Sequence, residues 1–334
     1  MVADDLTGAC DAGAPFAARG IPSLVWLDWE QAVSLPVGLM VLSTDSRRDS
    51  RESAKDKVRA ACELFCNGGA ELIFKKLDST LKGNVGAEVE AALEASGRRQ
   101  AILNPAFPDM GRLVEEGWLR GPDIEPIHIP TLLGGQTTLP VVRRIGETND
   151  PAIIVLDATT PEDLGAIARA ALWMSPPPLL AGSGGLAREM AARMRPDADA
   201  NGMQAPRGNR KIFYYIGSKN PVSQAQVEFL LRHREAQSLV DKVHLTPVEP
   251  GLAPDGLDQV RRALGAALVL GGGDSARAIL GDLEATAIRL EGEVLPGIPW
   301  GRILGGAADG VPVVTKAGGF GTEETLVAIL NFFA

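Results

Sequence analysis

The sequence predicts an α/β protein of two domains, each a largely parallel β-sheet flanked by helices. Three observations carry that reading. Short apolar runs alternate with helical periodicity along almost the whole chain, the pattern of repeated βαβ units. The 334 residues suit two domains at roughly 100–200 residues each. One stretch, 196–209, is polar, carries proline and glycine, and follows neither the helical nor the strand period, so it reads as a linker. The expected domains are therefore 1–200 and 201–334.

Taken in order, the elements justify this. Met1 and Val2 precede an acidic loop, AlaAspAspLeuThrGly (3–8), that leads into a helix. A buried parallel strand normally runs to about 4–8 residues, so either this first strand is unusually short or the start lies upstream. Apolar runs at 23–27, 39–43, 71–75, 100–103, 152–156 and 179–181 read as strands, and helical periodicity marks 50–65, 86–95, 161–173 and 185–194. After the linker, strands are expected at 211–216, 266–270 and 311–315, with helices at 223–234 and 322–332. No repeat of fixed period and no low-complexity tract interrupts the pattern.

Composition excludes several classes. Lys and Arg total 33 against 42 Asp and Glu, a net charge of −9. That balance argues against a basic face for nucleic acid or an anionic membrane, while leaving room for a local cationic pocket. No apolar run reaches the roughly 18–20 residues of a membrane span, and the opening Met-Val-Ala-Asp-Asp has no basic, apolar leader. The expectation is a soluble cytoplasmic protein with no nucleic-acid or membrane partner; a homo-oligomer is compatible with it. Three cysteines are no disulfide framework, and Cys62 and Cys66, four apart on a helix, are expected to share its buried face rather than bind metal. The three histidines show no metal-ligand or triad spacing, so no protein metal site is expected. The five tryptophans do not interleave with basic residues, which argues against a base-stacking platform.

Two vocabularies of chemistry remain. Glycine-rich stretches follow apolar strands and precede helices at 179–187, 214–223, 268–276 and 313–322. Such loops bring backbone N–H groups to phosphate oxygens while the helix dipole favours the anion. None matches GxxxxGK[ST] or GxGxxG, so neither a Walker-type NTPase nor a Rossmann dehydrogenase is indicated. Singly each is a strand-to-helix turn; three of them after residue 210 point to a nucleotide-binding domain.

The first half instead pairs acids with cations and hydroxyls. Asp4 and Asp5 open the first loop, and Lys75, Lys76, Asp78, Ser79, Lys82 and Asn84 share one connection. A sugar acid needs such a set: cations for its carboxylate, carboxylates or amides for its hydroxyls. An aspartate beside the accepting hydroxyl can orient it and take its proton during phosphoryl transfer. The plainer reading is that Asp5 or Asp78 caps a helix or solvates a turn. In 103–112 two prolines stiffen a strand-end loop from which Arg112 can reach an anion, or which is simply a rigid connector.

These motifs resemble a known family. AlaAspAspLeuThrGlyAlaCysAspAlaGly (3–13), LysLysLeuAspSerThrLeuLysGlyAsnValGlyAlaGlu (75–88) and AsnProAlaPhePro (104–108) are similar to the N-terminal domain of four-carbon acid sugar kinases. GlySerLysAsnProValSer (217–223), GlyGlyAspSer (272–275), GluValLeuProGlyIleProTrpGly (293–301) and LysAlaGlyGlyPheGly (316–321) resemble its C-terminal domain, in the same order. The resemblance implies an ATP-dependent kinase, with Mg²⁺, that phosphorylates a hydroxyl of threonate, erythronate or a 3-oxo-tetronate, with its active site in the interdomain cleft. It places nucleotide contacts on Ser218, Gly272, Gly273, Asp274, Ser275 and Gly318. Acid-sugar contacts are placed on Asp4, Lys76, Ser79 and Lys82, and Arg112 is added from its loop. Asp5 and Asp78 are the two candidates for the residue that orients the hydroxyl. The chain departs from the family pattern in being shorter after AsnProAlaPhePro, in reading AlaGlyGlyPheGly where Ser-Gly-Asn-Phe-Gly is usual, and in carrying Lys82 where Arg is common. The alternative is a sensor that binds sugar acid and nucleotide without transfer.

Overall fold

The computed structural model describes residues 1–29, 38–198, 211–233, 240–244 and 255–333. The first half of the chain comprises β1 (Val2–Ala3), α1 (Leu6–Ala18), β2 (Ser23–Trp26), β3 (Leu39–Ser43), α2 (Arg51–Asn67), β4 (Phe74–Lys76), α3 (Val85–Ser96), β5 (Gln100–Asn104), β6 (Leu113–Glu115), β7 (Trp118–Gly121), β8 (Ile124–His128), α4 (Ile129–Gly134), β9 (Val141–Val142), β10 (Ala152–Val155), α5 (Pro161–Trp173), β11 (Leu179–Gly182) and α6 (Gly184–Met194). The second comprises β12 (Ile212–Ile216), α7 (Pro221–Arg232), β13 (Val240–His244), α8 (Asp255–Arg262), β14 (Ala267–Gly271), α9 (Gly273–Asp282), β15 (Ala287–Leu295), β16 (Ile298–Leu304), β17 (Pro312–Lys316) and α10 (Thr325–Phe333). The architecture is α/β. It divides into two compact units, Met1–Ala12 with Val41–Asp197, and Gly13–Met40 with Ala198–Ala334.

In the first unit the strands run β3-β1-β4-β11-β5-β10-β9, every pair parallel. A parallel sheet covered on both faces demands uniformly apolar strands, and all residues of β10 (AlaIleIleVal) and β11 (LeuLeuAlaGly) are buried. β1 has only two residues, Val2 and Ala3, fully buried between β3 and β4. A separate antiparallel sheet, β6-β7-β8, follows the AsnProAlaPhePro loop; its short strands had no clear period in the sequence.

In the second unit β13-β12-β14-β17 are parallel, but β16, β15 and β2 add on antiparallel. The expected largely parallel sheet is thus parallel in one part only. For the β15–β16 pair the cause is local: they are joined at Pro296 and Gly297, the latter at φ +76°, and so short a connection permits only antiparallel pairing. Residues 13–29 and 38–40 group with this unit rather than with the rest of 1–200, and Ser23–Trp26 pairs with Ala287–Leu290. That partnership is remote in sequence, and no local pattern announces it.

α2 begins at Ser50, whose hydroxyl accepts the Ser53 N–H, and buries Ala54, Val58, Ala61, Cys62 and Phe65. Cys66 is exposed, so the two cysteines do not share the buried face; the last turn of α2 runs out toward the exposed Gly68 and Gly69. Of the linker reading, 199–209 lies outside the described residues. Among the described residues no helix is long and apolar enough to cross a membrane.

Candidate active site

Open α/β sheets bind ligands at the carboxyl ends of their strands. In the first unit the ends of the neighbouring strands β3, β1 and β4 carry Arg47, Asp4 with Asp5, and Lys76 with Asp78. Arg47 was not singled out from sequence, yet it is the hub. Its Nε and Nη2 donate to Asp4 Oδ2 and Oδ1 at 2.7 and 2.9 Å, its Nη1 donates to Asp5 Oδ2 at 2.8 Å, and Asp78 Oδ1 lies 3.8 Å from Nη1. The bidentate fork on Asp4 is the geometry only arginine provides. The backbone N–H groups of Ser46 and Arg47 both donate to Asp4 O, which fixes the loop after β3 against the loop after β1.

Each aspartate also has a structural duty. Asp5 caps α1, its Oδ1 accepting the Gly8 N–H at 2.9 Å, so the plainer role foreseen from sequence is real. A Cβ at Gly8 would press on Asp5 Oδ1 and Lys76 Nζ, so a side chain here would displace the carboxylate from its cap. Asp78 Oδ2 organises its own loop, accepting from Thr80 N, Thr80 Oγ1 and Lys82 N. Lys76 is buried, and its Nζ donates to Leu77 O at 2.8 Å.

The electrostatics separate the acids. For Asp4, burial raises the pKa but is outweighed by Arg47, Lys75 and Lys76, which hold the carboxyl below its ordinary value. For Asp5, burial dominates, Asp4 and Asp78 add repulsion, and the carboxyl lies above its ordinary value despite Arg47 and Lys76. Asp5 is therefore the acid disposed to take up a proton, a property that catalytic bases share.

Ser79, Lys82 and Arg112 form a second group. Arg112 is buried; it donates through Nη1 to Ser79 Oγ and as a fork through Nε and Nη2 to Asp123. Asp123 is held below its ordinary value by Arg112 first, with burial opposing and Lys82 contributing. Lys82 itself is exposed. The glycine stretch 179–187 is a packed turn: Ser183 caps α6, its hydroxyl donates to Ala106 O at 2.6 Å, and a Cβ on Gly184 would meet Asp11 Oδ2 at 2.5 Å.

In the second unit the other three glycine loops stand side by side at the carboxyl ends of β12, β14 and β17. A Cβ on Gly318 would fall 2.2 Å from Ser218 Oγ, and one on Gly272, at φ +102°, would meet Ser218 N at 3.2 Å. Gly272 and Gly318 thus each pack against Ser218, with Gly273, exposed Asp274 and buried Ser275 opening α9. Asn220 caps α7 by accepting the Val222 N–H, and Ser223 Oγ donates to Gly318 O at 2.8 Å. Two helix starts therefore face a cradle floored by bare backbone, which suits the phosphates of a nucleotide. Lys316, quoted in a motif but given no role from sequence, anchors the last loop: its buried Nζ donates to Ala317 O, Gly318 O and Phe320 O at 2.9, 3.2 and 3.1 Å.

Burial pushes the Lys316 ammonium down from 10.5 to about 7. A folded pKa below the unfolded one means that between about 7 and 10 the unfolded chain binds more protons. Stability then rises with pH through that window, and the gain is absent below it. Melting temperatures measured at pH 7 and pH 9 are expected to rise more for the wild type than for Lys316→Met. An identical rise in both would overturn the assignment.

Fold and site together define a two-unit α/β protein with a buried cation–carboxylate cluster on one unit and a nucleotide-type glycine cradle on the other. Comparison with known proteins matches a family domain to each half of the chain. A sugar-binding N-terminal domain profile matches residues 1–131, and a nucleotide-binding C-terminal domain profile matches 255–326. The D-threonate kinase of Salmonella typhimurium is 31% identical, over 99% of this chain and 97% of its own. That alignment spans 411 positions, more than this chain's 334 residues, so the relative carries segments this one lacks. The D-erythronate kinase of Heliobacterium modesticaldum is 25% identical over 99% of this chain and 96% of its own. A solved Salmonella typhimurium structure shares the fold, with a TM-score of 0.75 at 19% identity, over 100% of this chain and 98% of that one. The chain belongs to the four-carbon acid sugar kinase family.

Proposed function

We propose that the chain is an ATP-dependent kinase that transfers phosphate to a hydroxyl of a four-carbon sugar acid, D-threonate being the first acid to test. One observation carries this reading. Arg47 is gathered with Asp4, Asp5 and Lys76 at the strand ends of one unit, while Gly272 and Gly318 both pack against Ser218 at the strand ends of the other. Lys76 and Arg47 attract the substrate carboxylate, Asp4 holds Arg47, and Asp5 orients the accepting hydroxyl and takes its proton as the oxygen attacks phosphorus. Asp78 keeps its loop in place, with Ser79, Lys82 and Arg112 bordering the acid. In the second unit the N–H groups around Gly272 and Gly318, the Ser218 hydroxyl, and Gly273, Asp274 and Ser275 at the start of α9 hold the phosphates. When bound, ATP–Mg²⁺ supplies the phosphoryl group and offsets its charge. Dependence on ATP is also the ground for placing the protein in the cytoplasm.

A coupled ADP-release assay with D-threonate, D-erythronate and 3-oxo-tetronate tests the proposal. Acid-dependent ADP formation is the expected result. Calorimetric binding of an acid with no ADP released by any of the three would instead favour the non-catalytic sensor.

A further inference from the structure

Glu88 lies in the first turn of α3, buried, and neither the acid cluster nor the proposed mechanism uses it. Its Oε2 stands 2.7 Å from Lys75 Nζ, and the two side chains are 2% and 0% exposed. Its Oε1 accepts from Ser46 Oγ at 2.7 Å. Ser46 Oγ lies 2.8 Å from Thr44 Oγ1, which donates to Ala3 O, and Lys75 Nζ donates to Lys76 O. One buried chain of polar groups thus ties together the end of β1, the loop after β3, the end of β4 and the start of α3. The first three of those segments present Asp4 with Asp5, Arg47, and Lys76 respectively.

A buried ion pair is a poor source of stability, because desolvating both charges offsets their attraction, and apolar replacements of similar volume are often neutral or stabilising. Stability alone therefore gives no reason to keep Lys75 and Glu88 beneath this cluster. Their placement gives one. Ser46 adjoins Arg47, and its side chain is gripped by Glu88 while its backbone is gripped by Asp4. The Lys75 charge also helps to hold Asp4 ionised. Resting on the acid-kinase reading above, we infer that the Lys75–Glu88 pair and Ser46 are positioning residues that set Arg47 for the acid substrate. They act from beneath the site and touch no reacting atom.

The paired variant Lys75→Met with Glu88→Leu tests this, together with Ser46→Ala, which cuts the Glu88 tie to the Arg47 loop and the contact with Thr44 Oγ1 but leaves the ion pair. The paired variant is expected to melt at or above the wild-type temperature. Its KM for the acid should rise tenfold or more, with the KM for ATP unchanged and kcat within a few-fold. Ser46→Ala should raise the acid KM about threefold with the same selectivity, and it decides the matter if the paired variant does not fold. An unchanged acid KM in folded protein, or equal rises in both KM values, overturns the inference. Failure of the kinase reading itself is seen separately, as a wild type that releases no ADP with any acid.

Discussion

Asp5→Asn should fold like the wild type and lose turnover by about 10²–10⁴, the usual contribution of a positioned general base. The substitution separates the two duties of Asp5. An asparagine carbonyl can still accept the Gly8 N–H and cap α1, while its amide replaces the oxygen that accepts from Arg47 Nη1 and Thr7 Oγ1. It cannot take a proton. The acid limb of the wild-type kcat/KM profile should lie above the ordinary carboxylate range, because burial and the neighbouring Asp4 and Asp78 raise Asp5. As pH falls through that raised pKa, Asp5 gains a proton and activity declines; Asp5→Asn should lack this limb. Asp78→Asn should cost less, since Asp78 Oδ2 is engaged by Thr80 and the Lys82 N–H. Steady-state rates across pH check both variants. Asp5→Asn turnover within tenfold of wild type, or a larger loss at Asp78, would overturn the assignment.

What the sequence could and could not reveal follows from the range of the interactions. Parallel strands were readable because burial on both faces makes them continuous apolar runs, as in β10 and β14. The glycine loops were readable because a chain that must approach Ser218 as closely as Gly318 does admits no side chain. β2 was visible as a strand, but its partner β15 was not, because pairing across more than 250 residues leaves no local trace. The same holds for Arg47: in ThrAspSerArgArgAsp it looks like a solvated arginine after a strand, and only the adjacency of β3 and β1 brings it onto Asp4. Conversely Arg112, read as a cation available to an anion, is held by Ser79 and Asp123, so any anion it meets competes with those partners. Lys316 was hidden for a third reason. A lysine whose acceptors are the carbonyls of its own loop follows no spacing rule.

Arg47→Ala should cost both stability and activity. Asp4 is almost wholly buried while Arg47 keeps about a quarter of its surface, and breaking a fully buried pair costs about 3–5 kcal/mol. The partial exposure of Arg47 brings the expected loss toward about 2–3 kcal/mol, several degrees in melting temperature. Activity should fall further than stability, because the guanidinium also touches Asp5 and, in the proposed function, is with Lys76 the cation that meets the acid. A loss of about 10²–10³ in kcat/KM for the acid, with little change in the KM for ATP, is the expected outcome. Arg47→Lys should recover part of the stability and little of the activity, since one ammonium cannot span both Asp4 oxygens and Asp5 together. Arg47→Ala combined with Asp4→Asn removes the stranded charge and should regain stability without regaining turnover. Should that double variant, or Arg47→Lys, turn over at the wild-type rate, Arg47 is merely the counter-ion of Asp4 and the acid binds elsewhere.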